Sequence, residues 1–272
     1  LKSGGALGIK AVTVYKDNPK KHNMPTTLAT IIVMDPNTGK ALAVMDGGFL
    51  TAVRTGAVSG VATRHLARQS SRVGGILGTG VQARTQVLAM CEAAQLDAVL
   101  AFSLDPEDKR KAFAEELQSA TGVEMRQVGS TQELIAESDI VATATTAPTP
   151  IVDGSWWKPG QHINAVGSHA PGVRELDPGT LKRSKVICDQ ISACLVEAGD
   201  IMMPIESGEY SEREIHGELG AVINGKTRGR ESNEEITLFK SVGLGVQDLS
   251  CAALVYQQAI EQGAGTEFEF SA

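Results

Sequence analysis

The sequence predicts an α/β fold, a doubly wound parallel sheet joined to a second, smaller β-rich part, and three observations predict it. From Arg72 onward, short apolar runs alternate with helix-like segments, the order that parallel strands with crossover helices require. A glycine-rich turn, GTGVQA at Gly78–Ala83, joins the first of those runs to the first of those helices. Ahead of it lie three runs with the apolar–polar alternation of half-buried strands.

Taken in order, Gly8–Tyr15 (GIKAVTVY) reads as a strand, as do Leu28–Met34 and Ala41–Asp46. DPNTG, Asp35–Gly39, joins the last two, with Pro, Asn and Gly supplying the dihedrals of a tight turn. Thr51 is expected to cap a long helix, TAVRTGAVSGVATRHLA, whose apolar positions recur at helical spacing. VGGIL then forms a buried strand and Val81–Ala94 a helix. Val99–Phe102 is the next strand, followed by a charged helix opened by Pro106. Val123–Val128, Ile140–Thr145, His162–Gly167 and Lys185–Asp189 read as further strands, with a short helix at Thr131–Glu137. Leu244–Gln262 closes the pattern as an amphipathic helix.

The 272 residues carry a net charge of −7, which argues against an electrostatic nucleic-acid binder. No apolar run approaches the roughly 18 residues of a membrane helix. Cys91, Cys188, Cys194 and Cys251 are scattered without a CxxC pair and read as buried thiols of a reducing cytoplasm. The chain opens at Leu1 with no charged-then-apolar leader, so a cytoplasmic location is expected.

GTGVQA has the form GxGxxA in a strand–turn–helix setting, the pattern of a Rossmann dinucleotide site. Gly78 permits the tight turn, Gly80 lets the backbone approach a pyrophosphate, and Ala83 keeps helix and strand close. The helix N-terminus offers free N–H groups to the phosphates. An acidic residue at the next strand tip would bind the adenosine ribose and favour NAD over NADP. Here that tip carries Ser103, which tolerates a 2′-phosphate, and Asp105, which would repel one if turned inward. Lys109 and Arg110 are read as solvated, and the choice of cofactor stays open.

Arg54 is expected in the first turn of the helix capped by Thr51, where a cation opposes the helix dipole. An anion gripped by the guanidinium would reverse that penalty; an ion pair with Asp46 is the alternative. Lys10 lies within an apolar strand. Facing water it is a surface residue, whereas facing inward it would be desolvated and usable as a proton donor or acceptor. His169 follows a strand end, where ligands bind, and imidazole changes charge near neutral pH; a donor role and loop packing both fit. His22, His65, His162 and His216 show no ligand spacing, so no metal is expected. Trp156 and Trp157 are assigned to surface packing, and Glu175 and Asp177 to fixing the loop after His169 or capping the next helix.

GIKAVTV, LTAVRTGAVSGVATRHLA, GTGVQA, NAVGSHAPGVRELD and ITLFKSVGLGVQD occur in that order. Together they resemble the ornithine cyclodeaminase/mu-crystallin family over nearly the whole chain. The resemblance implies a Rossmann domain at 58–248 and a substrate-binding and dimerisation domain at 1–57 plus 249–272. Its opening segment, longer in family members, is expected to be missing here. It places the catalytic lysine on Lys10 and the substrate-carboxylate arginine on Arg54; His169, on its own chemistry, is expected to assist. The cofactor site would comprise Thr55, Gly78, Thr79, Gly80, Val81, Gln82, Ser103, Asp105, Thr143, Ala144, Thr145, Val166, Gly167 and Ser168. Cyclodeaminases and the family's alanine dehydrogenases carry an aspartate where this chain has His169, so the resemblance favours the imine reductases. The expected function is an NAD(P)H-dependent reductase of small α-imino acids such as Δ1-pyrroline-2-carboxylate, working as a homodimer. Ornithine cyclodeaminase, an alanine dehydrogenase-like enzyme and a non-catalytic NADP-binding protein are the alternatives, in that order.

Overall fold

The structure, a computed structural model, describes residues 5–15 and 17–269. The chain separates into two compact units: residues up to Arg54 together with those from Leu244 onward, and Thr55–Gly243. In chain order the first unit opens with β1 (Leu7–Val14), α1 (Asn18–Lys21), β2 (Thr27–Met34), β3 (Ala41–Asp46) and α2 (Gly48–Leu66), the last running on past the unit boundary.

The three strands form an antiparallel sheet in the order β1-β2-β3. Asp35 sets the β2–β3 turn by accepting from the amides of Asn37 (2.7 Å) and Thr38 (2.9 Å), while Gly39 takes φ +74°. Alternation gives the sheet two faces. Ile31 and Val33 are buried on one, in a cluster with Leu50 and Ala252. On the other, Ile9, Ile32 and Val44 pair across the strands, with Ile9 and Val44 exposed.

The second unit continues with β4 (Val73–Leu77), α3 (Val81–Ala93), β5 (Ala98–Phe102), α4 (Glu107–Thr121), β6 (Glu124–Gln127), α5 (Thr131–Glu137), β7 (Ile140–Thr143) and β8 (His162–Ala165). Then follow α6 (Pro178–Arg183), β9 (Ser184–Cys188), α7 (Ile191–Glu197), α8 (Gly199–Glu206), β10 (Gly217–Glu218), α9 (Leu219–Ile223) and β11 (Ile236–Lys240). Helix α10 (Gly245–Gln262) returns to the first unit. The eight strands pair in parallel in the order β10-β9-β11-β8-β7-β4-β5-β6. Order reverses between β4 and β7, the switch point at which doubly wound sheets bind ligands. Leu77, Leu100 and Val141 belong to one core and Ile76, Val99 and Ile140 to another, so successive residues of each strand feed opposite faces. Among the described residues no helix is long and apolar enough to cross a membrane.

The structure corrects several expectations. Helix α2 begins at Gly48, and Asp46 receives the amides of Gly48 (3.0 Å) and Phe49 (3.3 Å) in place of a Thr51 cap. Thr51 lies inside the helix and donates its hydroxyl to Gly47 O. Arg54 therefore sits in the second turn, where the dipole argument has little force. Trp157 is core, 2% exposed, with Nε1 donating to Thr180 Oγ1 (2.8 Å). Strands β7 and β8 each end two residues early: the amide of Thr145 turns to Glu175, and that of Gly167 is shared between Glu175 Oε2 (3.0 Å) and Thr143 O (3.1 Å). Helix α6 is the one that Asp177 was expected to cap, whereas strand β11 and the short helices α7 to α9 have no counterpart in the sequence pattern. The four cysteines are free, but only Cys188 and Cys194 are buried; Cys91 and Cys251 are half-buried.

His162 lies wholly buried on β8, with its ring nitrogens on Thr237 Oγ1 (3.0 Å) and Asn164 Oδ1 (3.2 Å). Burial, aided by the charge of Arg230, pushes its pKa down from 6.5 to about 3. Below pH 6.5 the unfolded chain binds a proton that the folded chain refuses until about pH 3. Stability should therefore fall on acidification through that window, by up to about 1.4 kcal/mol per pH unit from this residue. Denaturant melts of wild type and His162→Gln between pH 7 and 4 check this: the variant should lose stability less steeply.

Candidate active site and its cofactor cradle

At the switch point the tips of β4 and β7 meet backbone to backbone. Gly78 has φ +107°, and a Cβ there would lie 2.6 Å from Ala144 O. Its amide donates to Phe102 O (2.9 Å), and the Ala144 amide donates to Leu77 O (2.9 Å). Gly80 then serves as N-cap of α3 with no side chain capping the helix, and a Cβ on it would meet nothing within 4 Å. Open space above uncapped helical amides is what a pyrophosphate needs, so the residues present fit a dinucleotide. Exposed Val81 and half-buried Gln82 begin the helix, and Ala83 is fully buried against the sheet. Arg84 stiffens the turn by donating to Thr79 O (2.8 Å) while Glu116 holds its Nε. Buried Thr55 receives Gln86 Nε2 of α3 on its carbonyl (3.3 Å).

The orientation of Asp105, open in the sequence, is inward. Its Oδ2 accepts from Thr79 Oγ1 (2.5 Å) and from Ser103 Oγ (3.2 Å), and its amide donates back to Ser103 Oγ (2.9 Å). A carboxylate beside the glycine turn can accept from a ribose diol and repels a 2′-phosphate.

At the tips of β7 and β8, residues Thr143–Thr145 and Val166–Ser168 converge on Glu175. This buried carboxyl accepts from Thr143 Oγ1 (2.7 Å), Thr145 N and Oγ1 (both 2.6 Å) and Gly167 N (3.0 Å). Asp177 instead caps α6 through the amides of Gly179 and Thr180. His169 is exposed, with Nδ1 on Gly167 O (3.0 Å).

In the first unit, Lys10 and Arg54 meet on a residue that the sequence reading missed. Asp248, in the first turn of α10, takes Lys10 Nζ on Oδ2 (2.8 Å) and Arg54 Nε on Oδ1 (2.9 Å). Arg54 Nη1 adds Gln247 Oε1 (2.9 Å). Lys10 thus faces inward, with 15% of its side chain exposed. The anticipated ion pair of Arg54 with Asp46 does not form, since Asp46 is engaged as a cap. Two cations share one carboxylate, which leaves the cluster with net positive charge. In the sequence Asp248 is the last residue of the ITLFKSVGLGVQD motif and an acidic residue opening an amphipathic helix, a placement ordinarily explained by the helix dipole.

Residues 2–263 match the ornithine cyclodeaminase/mu-crystallin family. The chain belongs to that family. It is 41% identical over 266 residues to Δ1-pyrroline-2-carboxylate reductase of Bacillus cereus, covering 97% of this chain and 81% of that protein. The Δ1-pyrroline-2-carboxylate reductase of Thermococcus litoralis, solved with NADH and L-proline, superimposes with TM-score 0.95 at 46% identity, over 98% of this chain and 82% of that one. An archaeal alanine dehydrogenase, a dimer with bound NAD, gives 0.92 at 35% identity and the same coverage. These similarities extend across both units, so the family's two-part α/β architecture is that of this chain.

Because a Cβ on Gly78 would press on the β7 tip at an unfavourable φ, Gly78→Ala should weaken NADH binding by about tenfold or more and lower the melting temperature. Calorimetric titration with NADH, alongside a thermal melt, checks both.

Proposed function

We propose that this protein is an NAD(P)H-dependent reductase that converts small α-imino acids to L-amino acids, with Δ1-pyrroline-2-carboxylate as the first substrate to test. The observation that carries the reading is the pairing of Lys10 and Arg54 on Asp248. A guanidinium within a net-positive cluster suits a substrate carboxylate, which it can grip through parallel N–H bonds. An ammonium held beside it can give a proton to the imine nitrogen and so leave the imine carbon open to hydride. The nicotinamide cofactor, when bound, supplies that hydride. The inward carboxylate of Asp105 supports NADH over NADPH. His169, exposed and tethered to its own loop, is assigned an assisting role at most.

The exposed apolar sheet face around Ile9 and Val44 supports assembly as a homodimer. Four free thiols suit a reducing compartment, consistent with action in the cytoplasm.

Incubation with Δ1-pyrroline-2-carboxylate and either reduced cofactor should oxidise the cofactor and yield proline, faster with NADH. Ammonia release from ornithine without added reductant would select cyclodeamination instead. Lys10→Ala should cut kcat by about a hundredfold or more while NADH still binds. Arg54→Lys, losing the forked grip, should raise KM for the imino acid by roughly 10- to 100-fold. Steady-state kinetics with cofactor binding measured separately checks both. A wild type that oxidises neither cofactor with any imino acid would overturn the reading.

A further inference from the structure

We propose that Glu175 is a positioning residue for the nicotinamide half of the bound dinucleotide, acting through the two backbone segments it ties together. The inference rests on the dinucleotide site described above, and on geometry within the second unit alone.

In a doubly wound sheet the first βαβ half takes the adenosine side of a dinucleotide and the second half takes the nicotinamide side. Here the second half presents Thr143–Thr145 at the end of β7 and Val166–Ser168 after β8. These segments leave different strands, and each departs from the strand ladder two residues before the sequence pattern ends. One carboxyl group fastens both. Glu175 Oε2 takes Thr143 Oγ1 and Gly167 N, and Oε1 takes the amide and hydroxyl of Thr145. With the Thr145 hydroxyl turned to Glu175, its methyl faces Gly78, 3.5 Å from where a Cβ would stand. Gly167 lies directly on the carboxyl, with no room for a side chain.

Glu175 is itself held from behind. Its amide and that of Leu176 donate to Asp200 Oδ1 (2.7 and 3.0 Å). Asp200 Oδ2 pairs with Lys240 Nζ (2.7 Å), and Lys240 reaches forward to Ser168 O (2.6 Å). Glu175, Asp200 and Lys240 all have no exposed surface. Closed in this way, the ring runs from the β8 tip through Lys240 and Asp200 to Glu175 and back to the tips of β7 and β8.

Burial and the neighbouring Asp200 both work against an ionised Glu175 and push its pKa up. Apolar packing would hold a loop at lower cost. What the carboxyl adds is direction: four donors are aimed at one point, so the ledge formed by the two segments has one shape. A shaped ledge at the nicotinamide end should matter to that half of the cofactor and not to the other.

The test compares NADH with ADP-ribose, which lacks the nicotinamide ring. Dissociation constants for both are measured by calorimetry on the intact protein. Glu175→Gln, which sets an amide against the amides of Thr145 and Gly167, should weaken NADH binding by about tenfold. ADP-ribose binding should stay within about twofold of wild type. Thr145→Val removes one of the four donors without changing side-chain shape, should shift NADH in the same direction, and decides the matter if Glu175→Gln does not fold. Equal losses for both ligands would reduce Glu175 to a structural role and overturn the proposal, as would unchanged NADH binding. A wild type that binds neither ligand overturns it along with the dinucleotide site. One that binds both but reduces no imine defeats only the substrate reading.

Discussion

Gly78 and Ala144 are in backbone contact at the point where the strand order of the large sheet reverses. Such an approach is open only to a residue without a side chain, in a dihedral region that other residues avoid. Much of the second unit follows from keeping that junction intact. The β4 tip turns away into α3 and leaves the helix amides uncapped. The β7 tip is held from its other side by Glu175. Arg84, by donating to the carbonyls of Thr79 and Gly80, prevents the turn from spreading. An opening of fixed width over free N–H groups is the result.

The small unit solves a different problem, that of keeping two cations close together on a partly buried surface. Lys10 comes from a strand, Arg54 from a helix and Asp248 from a second helix. A carboxylate between two cations offsets part of their repulsion and desolvation, though such clusters contribute little net stability. The gain is in placement. Side chains of this length lose much rotamer freedom when both ends are fixed, and that ordering cost is met in folding.

Both units therefore place buried carboxyl groups behind the elements to which a function is assigned above, not on them. Asp248 stands behind the residues assigned to the substrate, while Glu175 and Asp200 stand behind the strand tips assigned to the cofactor. Lys240, at the end of strand β11, is the counter-charge for the second set. Apart from the bond of Glu175 to Gly167, eight residues away, these supporting contacts link residues far apart in the chain, so the sequence carries little local trace of them.

What the sequence determined on its own is local or periodic. The alternation of strands and helices from Arg72, the GxGxxA turn and the DPNTG hairpin are set by dihedral preference and side-chain period, which act over a few residues. Motif order added the family, and with it Lys10 and Arg54. Tertiary structure alone decided what those residues touch. Arg54 turns to Asp248 because Asp46 is spent on the helix start. Lys240 can end a fully buried strand because Asp200 arrives 40 residues away in sequence to meet it. Asp105 faces the glycine turn because Thr79 offers it a hydroxyl. Charge pairing and desolvation depend on distance in space, and two residues that settle each other's environment need share nothing in sequence but their presence.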